Sequence, residues 1–200
     1  MKEFYCLCEN LIQVDFPDEV NVTENPDTFD RILSGDFMSV TCERCGKVLK
    51  PEFPVRIVNS DRSFDCFLIP EMERSAYLLG KVTYNYPSVV IGYAELAERI
   101  RIFRASLDPG AIEIVKFYML EKLKADEEVT IAFHEVKDNS LIFYINGLKD
   151  GEIGVKLIPF SFYEKVLKSL PEKLNEEPFS EILKPPYISV KKIAFEEDEL

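Results

Sequence analysis

The sequence predicts an α+β protein: a β-rich N-terminal part over residues 1–73, then a helix hairpin and a small antiparallel sheet over residues 74–195. Three observations predict this. Short apolar runs of strand-like composition fill the first third, two apolar repeats at helical spacing occupy the middle, and alternating runs separated by polar turns follow. A length of 200 residues suits one large domain or two small ones, and 15 Phe and 9 Tyr supply the buried area a core needs.

In chain order, Leu11-Ile12-Gln13-Val14-Asp15-Phe16 reads as a strand. Asn25-Pro26-Asp27 opens a helix, with Pro26 near the first turn where its missing N–H is harmless, and Gly35 closes it. Val55–Val58 and Phe64–Ile69 flank the polar turn Asn59-Ser60-Asp61-Arg62-Ser63 and read as a hairpin. Tyr84 to Tyr93 is aromatic-rich and expected to be extended. Leu96, Ile100, Phe103 and Leu107 define one helix, and Asp108-Pro109 starts a second with an N-cap carboxylate and a proline at the first position. Ile112, Val115, Met119 and Leu123 mark its expected buried stripe. Strands follow over Val129–Val136, Leu141–Ile145 and Ile153–Ile158, then a helix from about Phe162 to Leu170, an irregular proline-bearing stretch, and a last strand over Tyr187–Phe195. Residues 196–200 form an acidic tail expected to be disordered.

The formal net charge is −12, and residues 1–73 hold 7 basic against 15 acidic side chains. Nucleic-acid binding draws affinity from Lys and Arg neutralising phosphates, so the sequence argues against a nucleic-acid partner and against anionic membrane surfaces. No apolar run approaches the roughly 20 residues of a membrane span. The start Met1-Lys2-Glu3-Phe4-Tyr5-Cys6 has no apolar run with a small-residue cleavage site, which argues against a signal peptide. Five cysteines, an odd number, favour reduced thiols and a cytoplasmic location.

Cys42-Glu43-Arg44-Cys45-Gly46 is the most specific local motif. Two thiolates at this spacing can grip one edge of a metal tetrahedron, and the glycine lets the backbone turn beneath them. Cys6-Leu7-Cys8 is a different case. On a regular strand the two Cα atoms would lie roughly 6.6 Å apart, so both sulfurs reach one ion only if the chain kinks at Leu7. A helix between the two pairs accounts for the 33 intervening residues. The expected site is one structural Zn2+ held by Cys6, Cys8, Cys42 and Cys45, in a zinc-ribbon-like N-terminal part. Four thiolates leave no open position for catalysis. The competing readings are ordinary half-buried thiols, and a redox pair of the kind found at a helix N-terminus.

The chain resembles the CpXC family, named after cysteine pairs of that form. The resemblance rests on Tyr5-Cys6-Leu7-Cys8 leading to Val14, and on Thr41-Cys42-Glu43-Arg44-Cys45-Gly46 preceded by a short helix and Leu33-Ser34-Gly35-Asp36-Phe37. Downstream it rests on Glu95-Leu96-Ala97-Glu98-Arg99-Ile100 and on Leu107-Asp108-Pro109-Gly110 with Ala111 to Lys116. It covers roughly residues 4 to 125. The first pair here is one residue short, and neither pair carries the proline of the family name. The resemblance implies a bacterial protein with a metal-binding N-terminal part; it implies no reaction.

His134, the single histidine, is expected at a half-exposed strand position, with a catalytic or ligand role as the alternative. Cys66 is expected in the core, with a spare metal ligand as the alternative. Glu95, Glu98 and Glu113 read as solvated helix carboxylates. Phe16, Phe29, Phe37, Phe53, Phe64 and Phe67 read as core. Eight glycines in the whole chain provide no phosphate-cradling loop. The leading expectation is a non-enzymatic, zinc-stabilised interaction protein with a protein partner. The alternative is a thiol-dependent enzyme using Cys42 or Cys45, with His134 nearby.

Overall fold

A computed structural model describes residues 1–123 and 129–193. The chain divides into two units, Met1–Ala97 and Glu98–Leu200. In the first unit, β1 (Lys2–Tyr5) and β2 (Leu11–Val14) form an antiparallel hairpin, followed by β3 (Glu19–Asn21) and α1 (Thr28–Ser34). A second hairpin pairs β4 (Val40–Thr41) with β5 (Val48–Leu49). Then come β6 (Val55–Val58), β7 (Asp65–Ile69), a 3-10 turn at Glu71–Glu73 running into α2 (Arg74–Leu78), and β8 (Val89–Ile91). Helix α3 (Gly92–Arg104) runs across the division between the units.

The main sheet of the first unit has the order β3-β6-β7-β8, with an antiparallel centre and parallel outer pairs. Strand β7 carries Cys66, Phe67, Leu68 and Ile69 as a continuous buried run, the pattern of a central strand covered on both faces. Arg56 on β6 donates to both Asp65 oxygens at 2.8 and 2.6 Å and to Glu19 Oε2 at 2.9 Å, tying three strands together. The expected hairpin across Asn59–Ser63 is present. So is the α1 stop, where Gly35 takes the left-handed conformation (φ 76°) that a side chain resists. Of the expected core phenylalanines, Phe37, Phe64 and Phe67 are buried, while Phe16, Phe29 and Phe53 are half-buried.

In the second unit, α4 (Pro109–Leu123) precedes the antiparallel meander β9 (Thr130–Lys137), β10 (Ser140–Asn146) and β11 (Gly154–Pro159). Helices α5 (Phe160–Lys173) and α6 (Phe179–Leu183) follow. Asp108 caps α4 as its sequence suggests: the Ala111 N–H donates to Asp108 Oδ1 at 2.9 Å. The core gathers Ile112 and Val115 of α4, Phe133 of β9, Leu141 and Phe143 of β10, and Ile182 of α6. The chain is therefore an α+β protein with a β-rich N-terminal part and a small antiparallel sheet toward its C-terminal end. Among the described residues no helix is long and apolar enough to cross a membrane.

Three expectations change. Helix α4 does not bury a single stripe. Residues Gly110 to Lys116 are all buried because α5, α6 and β9 each pack against it, while Leu123 is exposed. Glu98 and Glu113 are not solvated. Lys116 donates to Glu98 at 3.1 Å and to Glu113 at 2.7 Å, and all three side chains are buried. The carboxylates also accept backbone N–H groups, Glu98 from Phe133 at 2.7 Å and Glu113 from Val190 at 2.8 Å. Buried charge is tolerated when it is paired and its remaining lone pairs are satisfied, as here. Burial pushes the Glu98 carboxyl up from its ordinary range, with Lys116 opposing it. The third change concerns the strand expected over Tyr187–Phe195. Tyr187 makes an isolated bridge, and a helical turn covers residues 191–193. Pro185 and Pro186 supply no N–H donors, and the Val190 N–H goes to Glu113 instead of a strand. Phe195 and the acidic tail lie outside the described residues.

Candidate metal centre

Each cysteine pair sits in the turn of a hairpin. After β1 the chain folds back at Leu7: the Cys6 N–H donates to Asn10 O at 2.9 Å, and the Glu9 N–H donates to Cys6 O at 2.8 Å. Glu9 takes a left-handed φ of 65°, and Leu7 at the apex is 88% exposed. This is the kink that Cys6 and Cys8 require to aim at one point. In the second turn the Cys42 N–H donates to Lys47 O at 2.9 Å, and the Gly46 N–H donates to Cys42 O at 2.8 Å. Gly46 has φ 71°, and nothing lies within 4 Å of where its Cβ would stand. Its glycine is therefore demanded by the backbone, not by crowding.

The two turns meet sulfur to sulfur. Cys6 Sγ lies 3.6 Å from Cys45 Sγ, and Cys8 Sγ lies 3.7 Å from Cys42 Sγ. All four sulfurs fall within 4.8 Å of one another. A metal–sulfur bond of about 2.3 Å in a tetrahedron gives sulfur–sulfur edges of about 3.8 Å, so the four thiols could hold one metal ion. Both of these contacts join one turn to the other, so an ion here would clamp the hairpins together. Two neighbours support the arrangement of thiols. Asn10 Nδ2 donates toward Cys42 Sγ at 3.7 Å, and Arg44 Nη1 donates to Cys8 O at 2.8 Å, linking the turns through the backbone. Neither residue is evident from the cysteine pattern, although each lies within two positions of a thiol.

The thiol electrostatics are unequal. Burial raises Cys42, but the N–H groups of Cys45 and Arg44 and the neighbouring thiols outweigh it and bring it down to about 6. At Cys6 the Cys8 N–H favours the thiolate, yet burial and the surrounding thiols push it up to about 11. The surrounding thiols thus favour ionisation at Cys42 and oppose it at Cys6, and a cation among them would favour the thiolate form of all four.

The apolar support is small. Cys6, Cys42, Ile12 and Val14 are its buried members, with Phe4, Phe16, Val40, Leu49 and Phe53 packed around them. Cys66 is not part of the cluster; it is buried in β7 opposite Ile57. His134 is half-buried on β9 and stacks on Tyr144 with ring centroids 4.2 Å apart. Among the described residues it belongs to no metal-capable group.

Known proteins place the chain in a wider set. It is similar to an uncharacterized protein of Treponema pallidum (strain Nichols), with 27% identity over 189 residues that cover 83% of this chain and 87% of the relative. No solved structure matches. A family model described as CpXC protein matches residues 4–116, a span of more than half the chain that holds both hairpin turns and all four clustered thiols. The chain belongs to the CpXC family.

Proposed function

We propose that Cys6, Cys8, Cys42 and Cys45 bind one zinc ion as a closed tetrathiolate, and that the zinc is structural, holding a non-enzymatic protein-interaction module in shape. The observation that carries this reading is the convergence of four sulfurs from two separate hairpin turns to within 4.8 Å of one another, with cross-turn contacts of 3.6 and 3.7 Å. Soft thiolate donors in a tetrahedron suit zinc, and four protein ligands leave no position for substrate or water. The bound ion supplies crosslinking: it ties the β1–β2 turn to the β4–β5 turn where few apolar side chains are available. Ligation requires all four thiols to lose their protons; the N–H donors around Cys42 already favour this at that residue, whereas at Cys6 the ion must drive it.

The thiol-enzyme alternative gains no support from the geometry. Cys45 lies in a hairpin turn, not at a helix N-terminus, and its sulfur is engaged with Cys6. A protein partner is favoured by exposed apolar side chains beside the site: Leu7 at 88%, Tyr5 at 73%, and Leu11, which is paired with Tyr5 across the hairpin. Metal analysis of the full chain, purified without added metal, tests the zinc reading. One zinc per chain is expected; iron in its place, or thiols that all react while no metal is bound, contradicts it.

A further inference from the structure

In the second unit a pocket of about 650 Å³ opens between α4, β11 and the first turn of α5. Its inner wall includes Val115 and Met119 of α4 and Ile145 of β10, all buried. Its mouth carries Leu123, Leu157 and Phe162, which are 39%, 57% and 36% exposed. The volume falls in the range of about 300–1,000 Å³ typical of small-molecule sites, which are mostly apolar with a few placed polar groups.

The charged groups of the lining are of one sign. Lys122, Lys156 and Lys165 line the same pocket from three different elements, in a chain whose net charge is −12. Among the described residues none of these ammonium groups takes part in an ion pair. Ser161 and Phe162 bring the electropositive start of α5 to the lining as well. An apolar interior with cations at the rim matches a ligand with a hydrocarbon body and an anionic head. A polyphosphate would meet too little polar surface inside, and a neutral hydrocarbon would leave the lysines without a role.

We propose that this pocket binds an amphipathic monocarboxylate of the fatty-acid class, with its chain against Val115, Met119 and Ile145 and its carboxylate among Lys122, Lys156 and Lys165. The site uses residues of the second unit only and is independent of the metal reading.

Isothermal titration of the full chain with decanoate, below its micellar range, tests the proposal. Saturable binding at one equivalent is expected, with decyltrimethylammonium, the cationic counterpart, at least about tenfold weaker. Lys156→Glu with Lys165→Glu should weaken decanoate by a similar factor, and Met119→Trp should abolish binding by filling the interior. The lysine positions are exposed, so that double variant remains informative if Met119→Trp fails to fold. Absence of saturable decanoate binding overturns the proposal. So does equal binding of the cationic amphiphile, or affinity unchanged in the double lysine variant. Sedimentation with phosphatidylglycerol vesicles in the absence of decanoate binding would assign the lysines to a membrane surface, and equally overturns it.

Discussion

Two residues carry separable costs. Gly46 is left-handed in open space, so Gly46→Ala should destabilise the metal-bound chain by about 1–2 kcal/mol through backbone conformation alone. Gly46→Asn should cost less, because asparagine tolerates that conformation; equal losses, read by urea denaturation, would place the effect elsewhere. Lys116 is the opposite case, a position fixed by its partners. Lys116→Met leaves Glu98 and Glu113 buried without their cation and should cost about 3–5 kcal/mol. Burial alone would lower the Lys116 pKa, but Glu113 and Glu98 outweigh it and hold the value above the ordinary 10.5. The folded chain therefore binds that proton more tightly than the unfolded chain. The stabilisation is complete below about pH 10.5 and is lost as pH rises through the folded value. The stability gap between the native chain and Lys116→Met should therefore close at strongly alkaline pH, as Lys116 loses its proton. Without Lys116 the buried carboxylates should take up protons more readily, so the gap should also narrow on acidification; a gap that does not change with pH would contradict this.

At the scale of elements, the two cysteine hairpins should be the parts that depend on metal. Each is short, and their shared cluster buries only Ile12 and Val14 besides thiols. Chelation should accelerate hydrogen exchange at Cys6, Glu9, Cys42 and Gly46 and leave Ile57, Leu68, Phe133 and Phe143 protected. Uniform loss of protection, or none, would contradict a local structural role. The elements legible in the sequence are those with strong local chemistry. Gly35 stops α1, Asp108 and Pro109 start α4, and the Asn59–Ser63 turn fixes the β6–β7 hairpin. The elements missed are set by distant partners. Strand β3 exists because it pairs in parallel with β6, and β4 and β5 are two residues each, too short for any periodicity. Cys42 and Cys45 were legible from spacing, whereas Cys6 and Cys8 needed a turn that Glu9 makes at positive φ, a conformation glutamate does not advertise. The burial of Glu98 and Glu113 was hidden because charges on a helix read as solvent-facing. The Glu113–Lys116 spacing of i,i+3 was the available signal.

At the scale of the molecule, the family match over residues 4–116 extends past the first unit into α4. The features that suggest function occur in both units, the thiol cluster in the first and the lysine-rimmed pocket in the second. The central claim is the metal. Its most direct test is elemental analysis of the full chain, purified without added metal, together with thiol titration before and after chelation. About one zinc per chain is expected, with Cys6, Cys8, Cys42 and Cys45 slow to react until the metal is removed. Less than about half an equivalent of metal, with all four thiols reacting at once in the folded protein, would contradict it.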